Sequence, residues 1–101
     1  MFQKAVSKAE LKEGEIWGGR VGPYYVAIYL MNGEVFATEG LCTHEDCMIW
    51  EGWIVGDEVE CSCHGGRFDI RTGAVTAPPA TLPLAAFNVE ERDGDVYVDI
   101  D

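Results

Sequence analysis

Residues 42–47 have the sequence CTHEDC, and residues 61–64 have the sequence CSCH. The first segment contains a C-x-H motif and the second a C-x-x-H motif, and sixteen residues separate the two motifs. Thiolate sulfur and imidazole nitrogen are ligands that proteins offer to transition-metal ions. The two segments therefore predict a metal centre, and the four candidate ligands are Cys42, His44, Cys61 and His64.

The order of these ligands favours one kind of centre over the others. A structural zinc site usually takes a pair of cysteines from one segment and a pair of histidines from another. Here each segment supplies one cysteine and one histidine, so each can reach both metals of a two-iron centre. Two thiolates on one iron and two imidazoles on the other form the ligand set of a Rieske [2Fe–2S] centre. A zinc site, and inert cysteines beside ordinary histidines, remain the alternatives.

The longer segments CTHEDC and CSCHGGRFDIRTG resemble the Rieske signature. Nearly the whole chain is similar to the ferredoxin components of bacterial aromatic-ring dioxygenase systems. The resemblance implies one [2Fe–2S] cluster, with Cys42 and Cys61 on the inner iron. It implies that His44 and His64 bind the outer iron and form the edge at which the electron leaves.

The resemblance also implies the surroundings of the cluster. The residue type of Gly65 and Gly66 would by itself let the backbone approach the sulfurs closely, although an ordinary turn is the alternative. Pro78 and Pro79, in the segment 77–83, would cover the cluster and exclude water, although an ordinary surface loop is the alternative. In high-potential respiratory relatives a serine and a tyrosine donate hydroxyl hydrogen bonds at the positions of Gly66 and Phe68. Neither residue has a hydroxyl, so we predict a potential near the low end of the Rieske range, about −150 mV.

A second cysteine pair, Cys47 and Cys63, is commonly missing from dioxygenase ferredoxins. By resemblance, the two positions match a disulfide that ties the ligand loops of the respiratory proteins. A disulfide is uncommon in a cytosolic protein, so buried free thiols are the alternative.

Alternating and β-branched segments separated by turn residues predict an all-β protein. By resemblance we expect the Rieske fold: an antiparallel sandwich or barrel base carrying a small cluster-binding subdomain, made of two ligand loops and a proline loop. The 101 residues predict one domain, 1–101, with the cluster-binding part at about 40–82. The expected strands are 2–6, 16–20 with a bulge at Gly18-Gly19, 24–30 and 34–38 around Asn32-Gly33, 53–55 and 58–60, 67–70, and 84–90 and 95–100 around Asp93-Gly94.

The charge of the chain limits its partners. The net charge is −11, which argues against nucleic acid. Residues 21–66 contain eight acids and no lysine or arginine. Glu45 and Asp46 follow a candidate ligand directly, so we expect them to steer a basic partner surface towards the cluster. The alternative is that the acids only confer solubility.

Composition and residue count indicate an electron carrier. The N-terminal segment lacks a signal peptide and no stretch is long enough to span a membrane, so we expect a cytoplasmic protein. Both histidines are used by the cluster, which leaves none for a second, catalytic iron. We expect a non-enzymatic monomer that passes electrons from a ferredoxin reductase to a terminal Rieske oxygenase. The alternative is an iron- or redox-responsive binding module that switches through the cluster or through Cys47 and Cys63.

Overall fold

The computed structural model describes residues 1–43, 47–63, 65–80 and 82–100, and within them the chain forms eleven β-strands. In chain order the strands are β1 (Phe2–Ser7), β2 (Ile16–Val21), β3 (Tyr24–Met31), β4 (Glu34–Glu39), β5 (Trp53–Val55), β6 (Glu58–Glu60), β7 (Arg67–Asp69), β8 (Val75–Ala77), β9 (Ala86–Phe87), β10 (Val89–Arg92) and β11 (Asp95–Asp99). Two short 3₁₀ turns, Lys8–Glu10 and Ile49–Glu51, are the helical elements of the described residues. None of the described helices is long and apolar enough to cross a membrane. The all-β class is confirmed.

The strands form three antiparallel sheets. The first has the order β1-β11-β10, the second β2-β3-β4-β9 and the third β5-β6-β7-β8. In the sequence, β5 and β6 lie between the two ligand segments, and β7 and β8 lie between the second ligand segment and the prolines. The third sheet thus lies where the sequence predicts the cluster-binding part.

Strand β3 lies at the centre of the molecule, and both of its faces are buried. Val26 and Ile28 belong to one core, which also holds β11 residues such as Val98. Ala27 and Tyr29 point the other way, into a second core that contains the third sheet. An unbroken apolar strand is expected where a sheet is covered on both sides, and the second sheet is therefore the middle of three layers.

The hydroxyl of Tyr29 is the main polar group at the centre of the second core. It lies 2.7 Å from Oγ1 of Thr38, and both residues are fully buried. Burial raises the pKa of Tyr29, so the phenol stays protonated and the pair supplies one satisfied buried hydrogen bond.

Two of the predicted turns have the backbone that their residues favour. Asn32 and Gly33 have φ of 53° and 79°, and Asp93 and Gly94 have φ of 50° and 81°. Positive φ at both central positions is the geometry of a two-residue hairpin. Both hairpins are confirmed, one between β3 and β4 and one between β10 and β11.

The predicted bulge at Gly18-Gly19 is wrong, because β2 and β3 pair without a break in register from Ile16 to Val21. Packing explains the glycine at position 18 instead. A Cβ atom there would lie 1.9 Å from the ring of Trp50, and one at Gly40 would lie 2.5 Å from it. The two glycines make room for an indole that follows the first ligand loop.

The predicted final strand 84–90 is also divided. Ala86–Phe87 pairs with β4, and after Asn88 the chain continues as β10, which pairs with β11. The amide of Leu84 instead donates to the carbonyl of Gly73, 2.8 Å away. The segment therefore crosses from the second sheet to the first, which a propensity pattern does not reveal.

Candidate metal centre

Antiparallel backbone pairing closes both ligand segments at their ends. In the first, Leu41 bridges Met48, and the amide of Cys42 donates to the carbonyl of Cys47 at 2.8 Å. Four residues, 43–46, lie between Cys42 and Cys47 in the sequence, and we call them the first tip.

The second loop is closed in the same way. Glu60 pairs with Arg67 across β6 and β7, and the amide of Cys61 donates to the carbonyl of Gly66 at 2.8 Å. Four residues, 62–65, lie between Cys61 and Gly66 in the sequence and form the second tip, and Gly65 has a φ of 74°. Each candidate cysteine ligand therefore stands at the same position, immediately before a four-residue tip.

The two cysteines at these positions are buried in one core. Cys42 is 4% exposed and Cys61 is 0% exposed, and both pack with Phe68 in the second core. Two buried sulfurs at the bases of two loops suit a metal ion that lies on the buried side of the centre. The other predicted residues of the tips, His44, Glu45, Asp46 and His64, lie outside the described residues.

The hairpin β5–β6 returns the chain from the first loop to the second. Trp53 pairs with Glu60, the residue before Cys61. Gly52 allows this close return, since a Cβ atom there would lie 1.9 Å from the carbonyl oxygen of Glu60. The backbone leaving the first loop is thus packed directly against the backbone entering the second.

Cys47 and Cys63 join the two loops. The structure has them as a disulfide-bonded pair with a Cα–Cα distance of 6.5 Å, within the range that a disulfide requires. The bond connects the residue after the first tip to a residue inside the second, so the loops are held together by side chains as well as by the hairpin.

The segment after the two prolines contacts the first loop. The hydroxyl of Thr43 donates to the carbonyl of Leu82 at 2.7 Å, and Ala80 is only 3% exposed. Pro78 and Pro79 themselves are exposed. This hydrogen bond to the first loop therefore comes from a residue that follows the prolines in the sequence.

Basic side chains lie among the acidic residues of the third sheet, although residues 21–66 contain no lysine or arginine. Arg67 lies 2.8 Å from Glu60 and 3.9 Å from Glu58, and Arg71 lies 3.1 Å from Asp57. Exposed pairs of this kind contribute little to stability, but they place two positive charges among the acids of the third sheet. Sequence reasoning missed them because they follow the cation-free stretch. The signal was the hairpin itself, which sets Arg67 opposite Glu60.

The described part of the centre fits an iron–sulfur cluster. Two buried thiols stand at equivalent positions of two hairpins that are tied to each other, and two thiolates are what the inner iron of a Rieske centre takes. The Rieske [2Fe-2S] domain family matches residues 1–88. The chain belongs to the Rieske [2Fe–2S] domain family. Its cofactor is one [2Fe–2S] cluster.

Curated relatives of this Rieske chain include ferredoxin components of dioxygenase systems. It is 43% identical over 93 residues to the ferredoxin component of the p-cumate 2,3-dioxygenase system of Pseudomonas putida, covering 90% of this chain and 79% of the relative. Among solved structures, the Sphingomonas yanoikuyae B1 ferredoxin has a TM-score of 0.93 at 36% identity and covers 100% of both chains. A chain in a complex of reduced oxygenase and oxidized ferredoxin in carbazole 1,9a-dioxygenase has a TM-score of 0.88 at 38% identity, covering 96% and 91%. The Rieske ferredoxin fold is confirmed, and the chain is an electron carrier and not a catalytic oxygenase.

Proposed function

We propose that this ferredoxin accepts single electrons from a ferredoxin reductase and delivers them to the terminal oxygenase of an aromatic-ring-hydroxylating system. When bound, the [2Fe–2S] cluster takes up and releases one electron. The proposal includes Cys42 and Cys61 as ligands of the inner iron, and His44 and His64 as ligands of the outer iron and as the exit edge. It also treats residues 1–101 as one domain that acts as a cytoplasmic monomer.

The observation that carries this proposal is the pairing of the two hairpin tips. Cys42 and Cys61 occupy equivalent positions before the tips, and His44 and His64 lie within them in the sequence. A buried cysteine before each tip, followed two or three residues later in the sequence by a histidine, suits a cluster with one protected iron and one near the surface. The named relatives are components of dioxygenase systems, which supports an oxygenase as the electron acceptor.

We expect the purified protein to speed electron transfer from reductase to oxygenase when present in catalytic amounts. Electron transfer should slow as the ionic strength rises, because salt screens the attraction between this chain, of net charge −11, and a basic partner surface. At an ionic strength of 0.15 M the Debye length is about 8 Å. The measurement is the rate of product formation in the three-component mixture at several salt concentrations.

Matched variants separate steering from a general effect of salt. Glu45→Gln with Asp46→Asn should weaken the salt dependence, whereas Glu34→Gln, exposed at the start of β4, should leave it unchanged. Rates that do not respond to salt would remove the steering role, and a mixture that works equally well without this chain would remove the carrier role.

The potential is expected near −150 mV, at the low end of the Rieske range. Phe68 is fully buried in the core that holds both candidate cysteine ligands, and Gly66 closes the second loop. Introducing hydroxyls with Gly66→Ser and Phe68→Tyr should therefore raise the potential towards the positive part of the range, which reaches about +300 mV. A redox titration followed by visible absorption measures this.

The control for that titration is Gly66→Ala with Phe68→Leu, which changes volume at both positions without adding a hydroxyl. It should keep the potential of the unmodified protein. A clearly positive potential in the unmodified protein, or no rise with the hydroxyl pair, would contradict the explanation.

A further inference from the structure

Three cysteine sulfurs lie together at the ligand loops. The Sγ atoms of Cys47, Cys61 and Cys63 are all within 4.8 Å of one another. Cys42 is not a member of this group among the described residues. Two of the three sulfurs are those of the Cys47–Cys63 disulfide, so the Sγ atom of Cys61 lies beside that disulfide.

This spacing suits one thiophilic ion. Zinc lies about 2.3 Å from each thiolate, so two sulfurs on one ion are at most about 4.6 Å apart. The Sγ atom of Cys61 is already near that distance from both sulfurs of the disulfide. After reduction, the sulfurs of Cys47 and Cys63 must move apart from bonding distance to the spacing of two ligands on one ion. Thiolates select zinc and Cu(I) over harder ions.

We propose that reduction of the Cys47–Cys63 disulfide opens a three-thiolate site for zinc, or for another thiophilic ion, made by Cys47, Cys61 and Cys63. A dithiol reductant supplies two electrons and two protons, which convert the disulfide to two thiols while the dithiol closes to its own disulfide. The three thiols release their protons when the ion binds. Because Cys61 is also a proposed cluster ligand, an ion in this site prevents the [2Fe–2S] cluster from assembling.

The backbone keeps the sulfurs close when the disulfide opens. The hydrogen bonds from Cys42 to Cys47 and from Cys61 to Gly66 do not depend on the disulfide. The hairpin β5–β6 still brings the second loop back to the first. In the oxidised chain two of the three sulfurs are bonded to each other, so the disulfide protects the cluster ligands from the wrong metal.

A cadmium titration tests the site directly, because cadmium behaves as a thiophilic substitute for zinc and gives an ultraviolet charge-transfer band that grows with each thiolate. The full-length chain, prepared without iron and reduced with a phosphine, should show a three-thiolate band. Cys42→Ala should keep that band, and Cys47→Ala should lose about a third of it. The chain with its disulfide intact offers only two thiols and should give a weaker band. A band that falls equally with Cys42→Ala and Cys47→Ala, or that is the same before and after reduction, would overturn the proposal.

Cluster assembly in the presence of zinc tests the protective role without measuring electron transfer. Iron, sulfide and zinc are supplied together, and the metal content per chain is measured. The reduced chain should take up zinc in place of iron, whereas the oxidised chain and the Cys47→Ala/Cys63→Ala double variant should take up iron. If the double variant takes zinc as readily as the reduced chain, the zinc is held by the candidate cluster ligands alone and the three-thiolate site is wrong. This outcome would leave the proposed electron carrier untouched, since that role is tested by electron transfer in the mixture of reductase, ferredoxin and oxygenase.

Discussion

Cys61→Ala should leave the protein without its cluster, with iron and sulfide at background and no visible absorption. Cys61 is fully buried at the base of the second tip and shares a core with Cys42. Removing one of the two thiolates leaves the inner iron with no replacement ligand at that position. Iron and sulfide analysis with a visible spectrum of the purified variant measures the loss.

The matched control changes Cys63 and Cys47, which lie two and fourteen positions from Cys61 in the sequence. Cys47→Ala with Cys63→Ala removes the disulfide but neither proposed inner ligand, so the cluster should remain. The double variant should still be less stable, by up to about 3 kcal/mol, since the bond spans a sequence separation of 16. If Cys61→Ala keeps its iron, or if the control loses iron to the same extent, the proposed ligand set is wrong.

Gly52→Ala should lower the free energy of unfolding by about 3 kcal/mol or more, at or beyond the upper end of the usual cost of overpacking. The new Cβ atom would lie 1.9 Å from the carbonyl oxygen of Glu60. A flexible side chain could turn away from such a contact, but this neighbour is backbone and must move as a whole. Since Glu60 precedes Cys61, that movement separates the two ligand loops, and the variant should also lose iron faster. Denaturant unfolding and the rate of iron release to a chelator measure the two effects.

Gly56→Asn is the control for Gly52→Ala. Gly56 lies in the turn between β5 and β6, and a Cβ atom there meets nothing within 4 Å. Its φ of 64° is one that asparagine tolerates. The control should therefore unfold and release iron much as the unmodified protein does. Equal stability of Gly52→Ala and Gly56→Asn would show that the return of the hairpin is not tightly packed.

Local patterns predicted most of the secondary structure. Asn32-Gly33 and Asp93-Gly94 fix the backbone of their turns by themselves, and the alternation of β11 follows from one buried face. The two ligand motifs predicted the two loops because the ligands of one metal centre must lie close together in any fold. These signals are carried by residues that are close in sequence.

The features that were missed depend on residues far apart in sequence. Gly18 is explained by Trp50, thirty-two positions away, and no local pattern distinguishes that slot from a bulge. The same is true of the contact between Thr43 and Leu82. The grouping of three sulfurs also required the structure, since the sequence motif singles out Cys42 and Cys61 as the pair.

The change of sheet at Asn88 has a consequence for how the molecule comes apart. One residue separates the strand that pairs with β4 from the strand that pairs with β11, and its carbonyl accepts the amide of Asp99. Because the connection is one residue long, the first sheet cannot separate far from the second sheet without breaking the pairing of β9 or β10. We therefore expect the first and second sheets to open together, so that cleavage by a protease follows the unfolding of both sheets.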